Sequence, residues 1–322
     1  MSNLETAPDI AVRGGTSEVA ANPVREIFAG KEVTLGGDTV VRRLLPNLGR
    51  RMVGPWCFID HYGPDDISAR AGMAVPPHPH IGLQTVSWLL DGEVHHRDSI
   101  GSDQLIRPGE LGLMTAGAGI AHAEHSPVAH PALLHGVQLW VALPEASRAT
   151  APAWQHHSRL PRLDIAGLSA TVILGDVEGE RSPGKTFAPI VGLDVTLPPG
   201  GGGRLPLEAE FEYAALVMSG GMEADGVALA PGSMLYLGCG RNDLRLASDA
   251  GARVLVLGGQ PFEERIVMWW NFVARSGDEI AAAREDWMAG DRFGEVSDAG
   301  ARTPAPALPS GTLKPRGRVR DQ

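Results

Sequence analysis

Two short motifs in the sequence carry side chains that could bind a metal. His78 and His80 are separated by one residue, and so are His122 and Glu124. In a β-strand, residues i and i+2 point to the same face, so each pair can converge on one point. Three imidazoles and one carboxylate suit iron, manganese, nickel, copper or zinc, and they leave coordination positions open on most of these metals. The spacing therefore predicts a metal centre with room for a substrate or dioxygen.

The segments between these motifs predict the β-strands that position them. An alternating apolar run covers 85–90, a turn follows at Asp91 and Gly92, and a second turn is expected at Pro108 and Gly109. Short strands separated by such turns are typical of antiparallel barrels and double-sheet sandwiches. The two potential ligand pairs would then lie within one small barrel or sandwich.

This arrangement resembles the two motifs of the cupin superfamily, the first with two histidines and the second after a proline–glycine turn. Within the cupins, three segments are similar to the pirin family: HPHIGLQTVSWLLDGEV, HRDSIG and PGELGLMTAGAGIAHAE. The resemblance continues upstream through VVRRLLPNLGRRMVGPWCFIDHYGP and downstream through HGVQLWVALP, and it returns at FGEV near the C-terminus. It therefore covers far more than the potential ligands.

The resemblance implies an all-β bicupin, with two antiparallel jelly-roll-like barrels and a short C-terminal helix. It also implies that the first barrel binds one metal, usually iron(II), through His78, His80, His122 and Glu124. General cupins have a further glutamate shortly after the two histidines, and this chain has Gln84 there. An amide is a poorer ligand than a carboxylate, so we expect Gln84 to hydrogen-bond a ligand instead.

Two functions are implied by the same resemblance. One is a quercetin 2,3-dioxygenase-like activity on an aromatic substrate and dioxygen, with Glu124 as the catalytic base that accepts the 3-hydroxyl proton. The other is an iron-dependent regulatory protein that binds a transcription factor or a metabolic enzyme. Both need the same ligands, so the motifs do not separate them. Candidates for an apolar wall around an aromatic substrate are Trp56, Trp88, Met114 and Ile120.

The totals for the chain favour a two-domain β protein. Its 322 residues exceed the usual size of one domain, and 41 Gly and 25 Pro favour turns over long helices. A net charge of -10 argues against direct nucleic-acid binding, which requires a basic face. Cys57 and Cys239 are predicted to be thiols. Without a predicted leader or membrane-spanning segment, the expected location is the cytoplasm.

The domain organisation follows from shifts in composition along the chain. A helix is predicted after Ser276, which forms a capping box with Glu279, and Gly290 can end it. The four predicted parts are a flexible arm (1–28), a metal-binding cupin (29–150), a second cupin with the helix (151–297) and a flexible tail (298–322).

The second barrel repeats the pattern of the first without its potential ligands. The segment YAALVMSGGM resembles TVSWLLDGEV, and no histidine follows His157. We therefore expect this barrel to cover the open face of the first one. Among the other histidines, His61 is predicted either in a loop or at the mouth of the pocket, and the same two alternatives apply to Asp60. The remaining ones are predicted at the surface or rim (His95 and His96) or in structural and solvated positions (His125, His130, His135, His156 and His157).

Overall fold

The computed structural model describes residues 11–13, 23–34, 39–47, 49–297, 299–311 and 313–315, the first of these ranges as backbone only. Within them β-strands are the main secondary structure, and one helix follows near the C-terminal end. The strands of the first half are β1 (Ala11–Arg13), β2 (Glu26–Ala29), β3 (Lys31–Thr34), β4 (Val40–Leu45), β5 (Trp56–Asp66), β6 (Ala74–His80), β7 (Leu83–Asp91), β8 (Val94–Asp98), β9 (Asp103–Ile106), β10 (Leu111–Thr115), β11 (Ile120–His125), β12 (Leu133–Ala142) and β13 (Ala153–His157).

The second half continues the same architecture and ends in a helix. Its elements are β14 (Arg162–Ile165), β15 (Leu168–Leu174), β16 (Asp176–Val177), β17 (Glu180–Arg181), β18 (Ile190–Leu197), β19 (Gly201–Pro206), β20 (Glu212–Ser219), β21 (Met222–Ala224), β22 (Val227–Leu229), β23 (Ser233–Gly238), β24 (Asp243–Ser248), β25 (Ala252–Gly259), β26 (Ile266–Trp269), β27 (Phe272–Ala274) and α1 (Gly277–Ala289). The repeat segment YAALVMSGGM runs from β20 to the first residue of β21, as TVSWLLDGEV runs from β7 to the first residue of β8.

Each half contains one seven-stranded and one four-stranded antiparallel sheet. In the first half the strand orders are β13-β10-β7-β12-β5-β4-β3 and β6-β11-β8-β9. In the second half they are β14-β15-β18-β25-β20-β23-β2 and β19-β24-β21-β22. Read in matching directions, the two pairs of sheets have the same connectivity, so the internal repeat and the predicted two-barrel fold are confirmed.

The barrels exchange their outermost strands. β2 precedes the first barrel in sequence but pairs with β23 of the second. β13 lies in the connection between the barrels and pairs with β10 of the first. Residues 26–28 of the predicted arm (1–28) thus belong to a strand of the second barrel, and Ala11–Arg13 pairs with β26. The boundary near residue 150 likewise leaves out a strand of the first barrel. Short, irregularly patterned strands of this kind carry little periodic signal in sequence.

A shared hydrophobic core fixes the two barrels against each other. It combines residues from the outer face of the first large sheet, including Trp56 and Trp88, with residues of the second, including Leu216 and Leu257. The Trp56 indole N–H donates to the carbonyls of Val191 (3.2 Å) and Gly258 (3.0 Å), both in the second barrel. The second barrel therefore covers the outer face of the first barrel's seven-stranded sheet.

The C-terminal elements pack beside the first barrel. Helix α1 begins at Ser276, whose side chain accepts a hydrogen bond from the Glu279 amide, and its C-terminal cap is Gly290 at φ 88°. Both caps were predicted. The predicted flexible tail differs from the structure, since Ala305 and Leu313 are buried in a cluster with the helix.

Two further findings concern the chain as a whole. None of the helices in the described ranges has the length and apolar character needed to cross a membrane. Cys57 and Cys239 are thiols, as expected.

Candidate metal centre

Three histidines converge inside the first barrel. His78 and His80 lie on β6, and His122 lies on β11, directly opposite His78 in the antiparallel ladder. The Nε2 atom of His80 is 3.1 Å from that of His78 and 3.1 Å from that of His122. All three side chains are fully buried. The structure thus confirms that both predicted motifs supply side chains to one cluster.

The other ring nitrogens show that the facing Nε2 atoms carry lone pairs. The Nδ1–H of His78 donates to the Pro76 carbonyl at 2.8 Å, and that of His80 donates to the Asn271 carbonyl at 3.0 Å. Each ring has thereby placed its one proton on Nδ1. Burial lowers the pKa of His78 to about 4, so the ring is neutral at pH 7. Burial also lowers the pKa of His80 and of His122, with a further contribution from neighbouring histidines.

This arrangement fits a divalent metal ion. Lone pairs 3.1 Å apart without a proton between them repel, and a cation placed between them removes that repulsion. Metal–nitrogen bonds of about 2.1 Å at right angles would separate the nitrogens by about 3.0 Å, close to the observed spacing. In the part of the chain that the structure describes, this is the one group of three or more potential ligand side chains.

The C-terminal hairpin of β26 and β27 packs close to the three histidines because Gly82 has no side chain. Gly82 follows β6 at φ +69°, and a side chain there would lie 2.0 Å from the Val273 carbonyl oxygen. This close approach lets the hairpin run beside β6, with Ile81 bridged to Phe272. The carbonyl of the adjacent Asn271 can then accept from His80. Residues remote in sequence therefore orient a potential ligand.

Glu124 lies in the same barrel but is held by polar neighbours. It is 1% exposed, and its Oε1 is 3.2 Å from the Ser87 hydroxyl, which also lies 3.0 Å from Oε1 of Gln138. The converging group of donor atoms contains the three histidines and not this carboxylate. The predicted role of Glu124 as a fourth ligand thus stays a prediction, whereas its position beside the centre is observed.

His96 was predicted at the surface or rim, and that prediction is wrong. The side chain is 1% exposed, and its Nδ1 is 3.3 Å from Nδ1 of His122. His95, its neighbour on β8, faces the other way and pairs with Asp103 at the surface. The alternation of the strand required one of the two to face inward, but their types did not show which one.

Gln84 also lies elsewhere than predicted. Its amide donates to Thr115 Oγ1 at 2.9 Å and to the Lys185 carbonyl at 3.0 Å. Along β7 it shares a face with Val86, which packs between the barrels, whereas Ser87 faces Glu124. The expected hydrogen bond from Gln84 to a metal ligand is therefore wrong, because the glutamine lies on the outer face of the sheet.

The four residues predicted for an apolar wall lie in two different places, and the wall itself stays a prediction. Trp56 and Trp88 lie in the core between the barrels. Met114 and Ile120 are in a buried cluster that also contains Trp140 and Phe58. The Trp140 ring is centred 5.2 Å from the His80 ring and stacks on Phe58 at 4.1 Å. Alternation along β12 could have shown Trp140, which lies two residues from the inward-facing Gln138.

Asp60 and His61 lie in strand β5 rather than in a loop. Asp60 is fully buried and accepts two hydrogen bonds from Arg43, each 2.9 Å long. His61 is 1% exposed, and its Nε2 is 3.0 Å from Nε2 of His135. The prediction of a loop is therefore wrong for both residues. As neighbours in a strand they face opposite sides of the sheet, and neither belongs to the group of three converging histidines.

Two barrels of this connectivity, with three converging histidines inside the first, define a two-domain cupin protein with a potential metal site. Comparison with known families then narrows the class. The family described as Pirin matches residues 38–141, and the one described as Pirin C-terminal cupin domain matches residues 192–294. The chain belongs to the pirin family.

Relatives of known name agree with this assignment. The chain is 44% identical over 311 residues to the Pseudomonas aeruginosa protein named "Putative quercetin 2,3-dioxygenase PA1205", covering 96% of this chain and 98% of that one. A crystal structure named quercetin 2,3-dioxygenase from Acinetobacter baumannii matches with a TM-score of 0.86 and 42% identity, over 89% of this chain and 97% of that one. The nickel(II) complex of the bacterial pirin YhhW from Escherichia coli shares the fold, with a TM-score of 0.59, 19% identity and coverage of 74% and 100%.

Proposed function

We propose that this chain is a metal-dependent dioxygenase of the quercetin 2,3-dioxygenase type, with iron(II) held by His78, His80 and His122. The observation that carries the proposal is the convergence of three buried imidazoles, in which Nε2 of His80 lies 3.1 Å from Nε2 of His78 and 3.1 Å from Nε2 of His122. The names of the relatives with 44% and 42% identity support the reaction type. Three histidine ligands leave coordination positions open for a substrate, which a purely structural metal site would not need.

Glu124 is the proposed base for a flavonol or a similar hydroxylated aromatic substrate. When bound, the metal would supply the Lewis acidity that favours the ionised 3-hydroxyl group. Glu124 would accept the proton that this hydroxyl loses. The Ser87 hydroxyl, 3.2 Å from Glu124 Oε1, fixes the carboxylate beside the histidines. The same carboxylate can also turn towards the metal as the fourth ligand that the pirin resemblance implies.

The aromatic side chains of the barrel support an aromatic substrate. Trp140 and Phe58 stack with their planes 14° apart next to His80. Flat rings of this kind exclude water and offer a face for offset stacking. Exclusion of water strengthens each electrostatic interaction at the site and protects a reactive substrate anion from side reactions.

The proposal is tested by turnover of quercetin. Protein loaded with iron(II) without oxygen is mixed with oxygen and quercetin, and loss of the flavonol absorbance and release of carbon monoxide are followed. We expect turnover in the wild type and its loss in Glu124→Gln with iron retained. If the iron-loaded wild type turns over no flavonol but captures a partner protein only when oxidised, the regulatory alternative replaces this proposal.

A further inference from the structure

The three histidines of the potential metal centre differ in the group that lies next to their Nδ1 atoms. His78 and His80 donate to neutral backbone carbonyls, those of Pro76 and Asn271. His122 instead faces a second imidazole, since its Nδ1 is 3.3 Å from Nδ1 of His96. One of the three potential ligands therefore has a titratable side chain behind it.

That second imidazole ends on a buried carboxylate. Nε2 of His96 is 3.0 Å from Oδ2 of Asp98, and the two side chains are 1% and 0% exposed. The other carboxylate oxygen, Oδ1, accepts from the amides of Ile100 (3.1 Å) and Ser102 (2.9 Å). With all its partners donating, the Asp98 carboxylate is suited to the ionised state.

These contacts determine where each proton lies. Asp98 can only accept, so His96 donates through Nε2–H and presents a lone pair at Nδ1. His122 must then donate through Nδ1–H, which leaves its Nε2 lone pair for the metal. A continuous series of hydrogen bonds thus runs from the His122 ring through His96 to the Asp98 carboxylate, which accepts the last one.

An aromatic side chain from the connection between the barrels packs against His96, the middle residue of this hydrogen-bonded series. The Trp154 ring lies 3.7 Å from the His96 ring with an angle of 7° between the planes. Trp154 is on β13, opposite Met114 of the first barrel. Stacking of this kind prevents His96 from rotating away from His122.

The geometry points to Asp98 and His96 as positioning residues. The negative charge of Asp98 polarises the His122 ring through the hydrogen bonds of His96, which makes His122 the strongest donor of the three ligands. This inference rests on the proposed metal site and adds to it an unequal ligand set. A carboxylate behind an imidazole raises its basicity as a metal ligand. The more basic ligand favours the more highly charged metal, so Asp98 would stabilise iron(III) relative to iron(II).

The test compares two aspartates of the same hairpin. Asp98→Asn keeps the size of the side chain and removes its charge, and Asp103→Asn does the same to the exposed partner of His95. Nickel(II) serves as the probe, because its affinity can be measured by chelator competition without redox chemistry or turnover. Loss of outer-shell partners costs about 10- to 100-fold in metal affinity, and we expect that loss in Asp98→Asn and wild-type affinity in Asp103→Asn.

A second measurement separates positioning by charge from a merely structural role. In the iron-loaded protein the reduction potential should rise in Asp98→Asn and in His96→Gln, and stay constant in Asp103→Asn. Thermal unfolding of the metal-free variants checks that each one folds.

Two different results identify what has failed. If Asp98→Asn binds nickel with wild-type affinity and keeps the wild-type reduction potential, the inferred effect of Asp98 on His122 is wrong. The proposed metal site would be unaffected by that result. If the wild type itself binds no nickel, the metal site fails, whatever the variants do.

Discussion

In the first barrel, strands β6 and β11 place His78 opposite His122, whereas in the second barrel the equivalent strands β19 and β24 place Leu205 opposite Leu244. Both leucines are fully buried in the apolar core of the second barrel. The same framework therefore surrounds a polar centre in one barrel and a hydrocarbon core in the other.

The difference shows what each interior requires. Leucines need only close packing, which neighbouring strands supply. Each histidine needs a hydrogen-bond partner for its Nδ1 atom, because an unpaired buried polar group is destabilising. The partners come from the strand itself for His78, from the C-terminal hairpin for His80, and from β8 for His122. Of these partners, only the Asn271 carbonyl lies outside the four-stranded sheet that carries the histidines, so the C-terminal hairpin contributes to the first barrel's interior.

The largest expected effect is complete loss of the metal from the first barrel. In His78→Ala combined with His122→Ala, two of three converging nitrogens are gone, and elemental analysis should find no stoichiometric metal. The matched control is His156→Ala with His157→Ala, since these partly exposed histidines on β13 lie outside the cluster. Stoichiometric metal in the first double variant would show that another site binds it.

The converse substitution tests the second barrel. Leu244→Ala should destabilise the protein by about 2–5 kcal/mol, because removing a buried leucine side chain leaves a cavity. Denaturant unfolding measures the loss. The stoichiometry of bound metal should be unchanged, since Leu244 belongs to the second core. A loss of metal in the folded variant would mean that the two interiors are coupled.

Acid sensitivity should also distinguish the barrels, because no histidine follows His157. Burial, with His135 and Arg42 nearby, lowers the pKa of His61 from 6.5 to about 3. As the pH falls below 6.5, the unfolded chain takes up a proton that the folded protein does not, so stability falls until about pH 3. For one such group the slope is about 1.4 kcal/mol per pH unit.

In His61→Gln, the free energy of unfolding should fall less steeply with falling pH, by about 1.4 kcal/mol per pH unit. Denaturant unfolding of metal-free protein between pH 7 and pH 5 measures the slope. Val195→Ala in the second core is the control, because it lowers stability without removing a titrating group. An identical slope in His61→Gln and the wild type would contradict this origin of the acid sensitivity.

The sequence predicted the framework well, and it predicted the partners of the ligands poorly. Alternation and turn residues located the strands, and the i, i+2 spacing located the converging histidines. The Asn271 carbonyl could not be predicted, since any residue type offers one. His96 and Gln84 were placed on the wrong faces because a one-residue difference in register reverses every side chain of a strand.

The smallest expected effect concerns Gln84, and it separates the two faces of one strand. Gln84→Ala removes hydrogen bonds to Thr115 and to the Lys185 carbonyl, leaving buried groups unpaired at a cost of roughly 1–3 kcal/mol. Metal affinity and turnover should stay at wild-type values, because the side chain faces the second barrel.

Ser87→Ala is the matched variant for the inner face of β7. It removes the hydroxyl 3.2 Å from Glu124, so turnover should fall while overall stability changes less than in Gln84→Ala. Chelator competition, denaturant unfolding and quercetin turnover measured on both variants make the comparison. If Gln84→Ala loses metal and Ser87→Ala does not, the outer face of the sheet controls the centre, and the orientation of β7 described above is wrong. If turnover falls in Ser87→Ala and only stability falls in Gln84→Ala, the two faces of β7 have different roles. Ser87 would then act on the chemistry and Gln84 on the contact between the barrels.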